Sequence, residues 1–335
     1  MNNNFFKAFP WVLISVSLLT SCVSTETLEP GNMATSTQEI VLNINTPSEA
    51  KTRGAGYKLR YSAKIYEGTQ NIWNKPLERQ EIIDGESDNQ IIFKVPANSN
   101  YGILVFADYI PEDSQPNSEG LYADYFYDTT SNSKISQMRT TPGSANSTVS
   151  SDFFNNDYYD AFFGSETFLK GVEEKIVDMT LNRTTAKIIF RDNSDLYGDC
   201  SISLNTVSVF NQFYQDDNTI FSSPTTVQTN GITFSQSFPE NTENKDLFFF
   251  YTLAEDTNVT HKVKSSFTVT NNGVQSDVFT ISDIPVKANY KTIVTGKFLT
   301  EDSSDNPGGE EEPQEGDIIL NLTTNFGWEQ ESLSN

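Results

Sequence analysis

The chain carries one histidine, His261, so any general base or Ser-His-Asp triad built on imidazole would have to use it. It stands in the row Val259, His261, Val263, Ser265 and Phe267, the alternate residues of one strand face. No nucleophile elbow accompanies it, and a structural histidine is the expectation. Asp192, Asp195 and Asp199 offer carboxylates to calcium, but their spacing fits no calcium loop, and a solvated acidic turn is expected instead. No Cys or His cluster has zinc spacing, and no phosphate loop or dinucleotide fingerprint occurs. Acidic pairs of the kind glycosidases use abound, but nothing in the sequence selects one pair. These residues point to a protein that is not an enzyme and uses no metal or cofactor.

Aromatic side chains offer a second chemistry. Tyr122, Tyr125, Tyr127, Tyr158 and Tyr159 lie in a stretch rich in Pro, Ser and Asn, and could stack on sugar rings. Packing and loop anchoring compete for the same side chains. A glycan-binding module is therefore the alternative to a structural subunit.

The third chemistry is that of a thiol. A short apolar run, Trp11-Val12-Leu13-Ile14-Ser15-Val16-Ser17-Leu18-Leu19, ends in Thr20-Ser21-Cys22. The run is too short to span a bilayer and suits a signal-peptide core. Leu19-Thr20-Ser21-Cys22 resembles a bacterial lipobox, in which small residues admit a peptidase and the cysteine takes the lipid. The competing reading is an ordinary cleaved signal peptide with an incidental cysteine. With Cys22 lipidated, Cys200 is the one thiol of the mature chain, so no internal disulfide forms there. A buried, inert thiol is expected.

Charge limits the partners. The 335 residues include 45 acidic and 22 basic side chains, for a net charge of −23. Such a chain lacks the phosphate-neutralising surface that nucleic-acid binding needs. With 24 Phe and 14 Tyr it still has material for sizeable cores.

The elements that must position these residues are strands. Ile40, Leu42 and Ile44 alternate with Val41, Asn43 and Asn45. Tyr57, Leu59, Tyr61, Ala63 and Ile65 alternate with Lys58, Arg60, Ser62 and Lys64. Period two with branched and aromatic residues predicts half-buried sheet. Short strands continue at steady spacing, which predicts an all-β chain of two β-sandwich domains. Irregular loops and a short helix are expected between Asp108 and Phe163 in the first. The expected divisions are a signal peptide over 1–21 and a tether over 22–37. Sandwiches over 38–180 and 181–300, an acidic Pro/Gly linker over 301–316 and a terminal strand over 317–335 follow.

That terminal strand echoes the first. Asp317-Ile318-Ile319-Leu320-Asn321-Leu322-Thr323-Thr324 aligns with Glu39-Ile40-Val41-Leu42-Asn43-Ile44-Asn45-Thr46, with four of the eight positions identical. Chance likeness between short amphipathic strands is the competing explanation.

In these features the chain resembles the fimbrillin superfamily, pilus subunits and relatives from Bacteroides-type bacteria. The marks are the lipobox, Thr52-Arg53-Gly54 after the first strand, Tyr57-Lys58-Leu59-Arg60-Tyr61 and Phe106-Ala107-Asp108-Tyr109. Leu181-Asn182-Arg183-Thr184-Thr185-Ala186-Lys187 and Asn289-Tyr290-Lys291-Thr292-Ile293-Val294-Thr295-Gly296-Lys297 complete them. The resemblance implies transthyretin-like sandwiches and a lipid-anchored place at the outer membrane, the cell surface or a pilus. It implies neighbouring fimbrillin subunits as partners, beside a surface glycan or protein. It also implies proteolysis between Arg53 and Gly54, loss of the first strand, and its replacement by a neighbour's C-terminal strand. Uncharacterised fimbrillin-like lipoproteins match more nearly than well-studied pilins, so a solitary anchored protein stays as the alternative. Ile318, Leu320, Leu322 and Phe326 are the donor-strand candidates, and burying four such side chains contributes roughly 6–12 kcal/mol before ordering costs. Asp128-Thr129-Thr130 resembles an O-glycosylation acceptor of these bacteria, with Thr129 as the acceptor.

Overall fold

Alternating apolar residues build the first strand, β1 (Thr37–Asn45), with Ile40, Leu42 and Ile44 buried on one face. The structure, a computed structural model, describes residues 37–51, 56–68, 75–97, 99–131, 134–137, 149–169, 175–214, 219–220, 224–255, 261–299 and 319–324. A one-turn helix, α1 (Ser48–Lys51), follows β1. Then come β2 (Tyr57–Glu67), β3 (Glu78–Ile83), β4 (Gln90–Pro96), β5 (Asn100–Pro111), β6 (Tyr127–Asp128), β7 (Lys134–Gln137), β8 (Phe162–Leu169), β9 (Lys175–Thr180) and β10 (Asn182–Arg183). The chain continues with β11 (Thr185–Asp192), β12 (Gly198–Val209), β13 (Gln212–Tyr214), β14 (Thr219–Ile220), β15 (Thr225–Gln228) and β16 (Thr233–Phe238). It ends in β17 (Lys245–Leu253), β18 (His261–Asn271), β19 (Val274–Gln275), β20 (Phe279–Val286), β21 (Tyr290–Gly296) and β22 (Ile319–Thr324). The all-β expectation holds. The helical turns expected in the loop region are two 3-10 turns, Ser151–Phe153 and Asp157–Tyr159.

The strands before residue 184, apart from β6 and β7, form a three-stranded sheet, β4-β1-β9, and a five-stranded sheet, β10-β8-β5-β2-β3. The two sheets stack. Tyr101 on β5 donates its hydroxyl hydrogen bond to the Pro96 carbonyl at the end of β4, at 2.6 Å. Gly164 on β8 shows how tight the stack is, because a Cβ there would lie 2.8 Å from Leu181 Cδ2 and 3.0 Å from Met179. The later strands form the sheet β17-β11-β21-β22 and a six-stranded sheet around β12 and β18. Rings fill the space between: Phe190 stacks on Phe248 at 4.4 Å, and Phe267 meets both edge-on at 5.2 Å.

A fifth sheet, β14-β13-β7-β6, takes two strands from each side of residue 181. Phe153 and Phe154 add to this join by packing on Phe250. The described residues thus belong to one compact unit.

One expectation needs correction. β2 was to be half-buried, with Lys58, Arg60, Ser62 and Lys64 facing solvent, but Arg60, Ser62 and Lys64 are buried as fully as Tyr61, Ala63 and Ile65. The segment after β5 lies across this face. It takes the Lys58 ammonium on the Ser114 carbonyl at 2.8 Å and the Lys64 ammonium on the Ser131 carbonyl at 2.5 Å.

Candidate functional site

The seat of β1 is the candidate site. Its strand is the middle member of its sheet: antiparallel to β4, with Val41 opposite Ile92 and Asn43 opposite Gln90, and parallel to β9, with Val41 beside Ile176 and Asn43 beside Asp178. A strand so placed satisfies its backbone on both edges. Leu181 adds a hydrogen bond from its N–H to the Asn45 carbonyl at 2.8 Å. The inward face of the seat is lined by Ile91, Phe93 and Val95 of β4 and Val177 and Met179 of β9, all buried. Sequence periodicity located β1 and its inward residues. It did not place β1 between two partners, because those partners lie 47 and 135 residues away in sequence.

The outward face of the seat is more specific. Asn43 donates from Nδ2 to Asp178 Oδ1 at 2.7 Å and accepts at Oδ1 from Gln90 Nε2 at 3.0 Å. One residue pair away, Val41 lies between Ile92 and Ile176, which are 42% and 57% exposed. Next to that row, Glu39 pairs with Lys94 at 3.6 Å across an exposed edge.

The donor-strand candidates lie partly within the described residues. β22 carries Leu320 and Leu322 and pairs antiparallel with β21, Leu320 opposite Val294 and Leu322 opposite Thr292, as the last strand of its sheet. Ile318 and Phe326 lie outside the described residues, as do Cys22, Arg53 and Gly54.

Two of the family-like marks meet inside the first pair of sheets. Arg60 and Asp108 are buried register partners, and the guanidinium also reaches Asp124 at 2.9 Å and Glu81 at 3.6 Å. Arg79 donates to Glu81 and, at 2.6 Å, to the Thr129 hydroxyl. Thr129 in turn donates to Asp124 Oδ1 at 2.7 Å and is fully buried. The hydroxyl expected to accept a glycan is thus buried within a charged cluster in this fold.

Two further marks meet at the join. Arg183 donates from Nε to Asp160 Oδ2 at 2.8 Å and from Nη1 to Asn289 Oδ1 at 2.9 Å. Asp160 also accepts from the Thr185 hydroxyl at 2.6 Å. Four of the marks read in the sequence as isolated motifs are thus joined in pairs by polar contacts.

The remaining candidates fall into structural places. Asp192 is not in a solvated turn. It is buried against Lys245 at 2.8 Å, and its Oδ1 accepts from the backbone N–H groups of Phe298 and Leu299 at 2.7 and 2.9 Å. Asp195 and Asp199 are exposed. Among the described residues no group of three His, Cys, Asp or Glu could hold a metal ion. His261 lies 2.5 Å from Glu255 and meets Phe210 edge-on. Cys200 is buried. Of the tyrosines, Tyr127 and Tyr159 are fully buried, with the Tyr127 hydroxyl on the Tyr159 carbonyl at 2.5 Å, so neither can stack on a sugar. Tyr125 and Tyr158 keep some exposure, and each packs against Tyr57.

Stacked sheets, with an N-terminal strand completing a sheet made by distant parts of the chain, define an all-β protein whose best-formed site is a strand seat. Residues 30–326 match the profile of DUF6562, a family of unknown function, and the chain belongs to that family. No curated protein matches it. Among solved structures it is similar to the fimbrial anchor protein Mfa2 from Porphyromonas gingivalis, with 10% identity over 78% of this chain and 91% of that one, at a TM-score of 0.41. It is also similar to a fimbrial assembly protein from Parabacteroides distasonis, with 16% identity over 86% of this chain and 95% of that one, at a TM-score of 0.39.

Proposed function

We propose that this chain is a lipid-anchored surface protein of the fimbrillin type that joins a neighbouring copy by strand exchange. The middle-strand position of β1 carries this reading. Arg53 follows β1 and α1, so a cut between Arg53 and Gly54 separates both from the body. β1 would then leave an open seat between β4 and β9, with two rows of backbone groups unpaired and an apolar lining exposed to water. A neighbour's β22 carries the alternating pattern to fill it. On its own β21 this strand is the sheet's last member; in the seat it would be paired on both edges. The second paired edge and the apolar lining of the seat favour the exchange, and the acidic linker over 301–316 supplies the reach. Before the cut, β1 occupies the seat and the chain stays single. Lipidation at Cys22 holds that precursor on the membrane.

The test is to trim the soluble chain after Arg53 with an Arg-specific protease and follow its mass by light scattering. An Arg53→Ala chain and a chain ending at residue 316 serve as controls. Oligomers are expected from the parent after trimming and from neither control. A trimmed parent that stays folded and monomeric overturns the reading in favour of a solitary surface protein.

A further inference from the structure

We infer that the outward face of the β1 seat reads the chemistry of the strand it holds and so fixes the register of the incoming strand. The partner this face fits is the terminal strand of a second copy of this chain. The inference rests on the strand-exchange reading and adds to it the residues that select the strand.

An inward Ile/Leu row cannot fix register alone. Side chains repeat every two residues, so a slip by two still fills two of the three inward pockets with Ile or Leu, with Thr324 or Gly316 reaching the third. The outward face breaks that degeneracy. Along it the seat offers three successive rows of different chemistry: Lys94, then Ile92 with Ile176, then Gln90 with Asp178. β1 answers with Glu39, Val41 and Asn43. The Asn43 amide is the most discriminating, because it must donate to Asp178 and accept from Gln90 at once. Few side chains can do both in one plane.

The terminal segment repeats this outward code. Asp317, Ile319 and Asn321 hold the places of Glu39, Val41 and Asn43. In register, Asn321 stands between Gln90 and Asp178, Ile319 between the two exposed isoleucines, and Asp317 opposite Lys94. A slip by two residues sets Asn321 between Ile92 and Ile176, or sets Ile319 between Gln90 and Asp178. Each wrong register strands a polar group on an apolar row or an apolar group on a polar one. The Gln90–Asp178 pair therefore acts as a clamp for an asparagine.

The experiment compares trimmed full-length chains. Asn321→Asp places a carboxylate beside Asp178, and like charges on adjacent strands repel. Joining should weaken roughly tenfold or more, measured as the protein concentration at which half the chains are oligomeric. Asp178→Asn combined with Asn321→Asp restores a donor–acceptor match on both sides and should return joining to within about twofold of the parent. Asp178 is exposed in the untrimmed fold, and the urea midpoint of each untrimmed variant controls for folding. Register is read separately: chains with Ile92→Cys and Ile319→Cys should form disulfide ladders between copies, and chains with Lys94→Cys and Ile319→Cys, which leave Asn321, Gln90 and Asp178 in place, should not. If Asn321→Asp joins as well as the parent, or the second cysteine pair ladders as readily as the first, the clamp is wrong while strand exchange stands. If the parent itself fails to join after trimming, strand exchange and the clamp fall together.

Discussion

Arg60 and Asp108 face one another across β2 and β5, and the guanidinium grips the carboxylate with two hydrogen bonds, Nε to Oδ1 at 3.0 Å and Nη2 to Oδ2 at 2.9 Å. Neither side chain reaches solvent. The pair ties the second strand to the fifth in the sheet that backs the β1 seat.

Removing one partner leaves a buried charge uncompensated. Arg60→Met should destabilise the chain by about 3–5 kcal/mol, because it strands Asp108 beside Glu81 and Asp124. Arg60→Met with Asp108→Leu should cost less than the sum of the two single changes. Urea unfolding of the four chains closes the cycle, and additive losses would show that the pair is not coupled.

Lys64 gives stability a pH dependence. Burial, and after it the charge of Arg79, pushes its ammonium down to about 8. In the unfolded chain the group keeps its proton to about pH 10.4. Between these values the unfolded state binds the extra proton, so stability rises with pH through the window and the gain is absent below it. The slope from this group should approach about 1.4 kcal/mol per pH unit. Urea midpoints at about pH 8 and about pH 9.5 should differ in the parent and differ less in Lys64→Met.

Cys200 should be inert while the chain is folded. Burial above all, then the negative charge of Asp192, pushes its thiol up to about 11. Only the thiolate attacks a disulfide reagent, so modification near pH 8 should run at least about a hundredfold slower in buffer than in denaturing urea. Equal rates would place the thiol at the surface.

Lipidation is testable apart from assembly. Cys22→Ala should move the cell-expressed protein from the detergent phase to the aqueous phase on detergent partitioning. A variant that still follows the detergent would rule out Cys22 as the lipid site.

Strand positions and the inward row of β1 were legible because alternation is a local property. The role of Arg60 was not. Its alternation with Tyr61 reads as a solvent face, and only the return of residues 112–131 over that face buries it. The same return seals Thr129, whose three-residue motif carries no information about what covers it. Asp192 misled for a related reason: an acidic turn looks solvated until Lys245, 53 residues later, is brought against it. Gln90 and Asp178 were invisible as site residues, since neither has a special type or neighbour and each acquires its role from a strand far away in the chain.

The position of β1 also decides how the protein bears load. A pull applied to Thr37 along the axis of β1 loads the strand lengthwise. Its hydrogen bonds to β4 and β9 run across that axis, so they are strained together in shear instead of being peeled one after another. Shear along two flanks at once spreads a sudden tug over the whole strand. The strand that the proposed exchange would release is, while it is seated, held along both of its flanks.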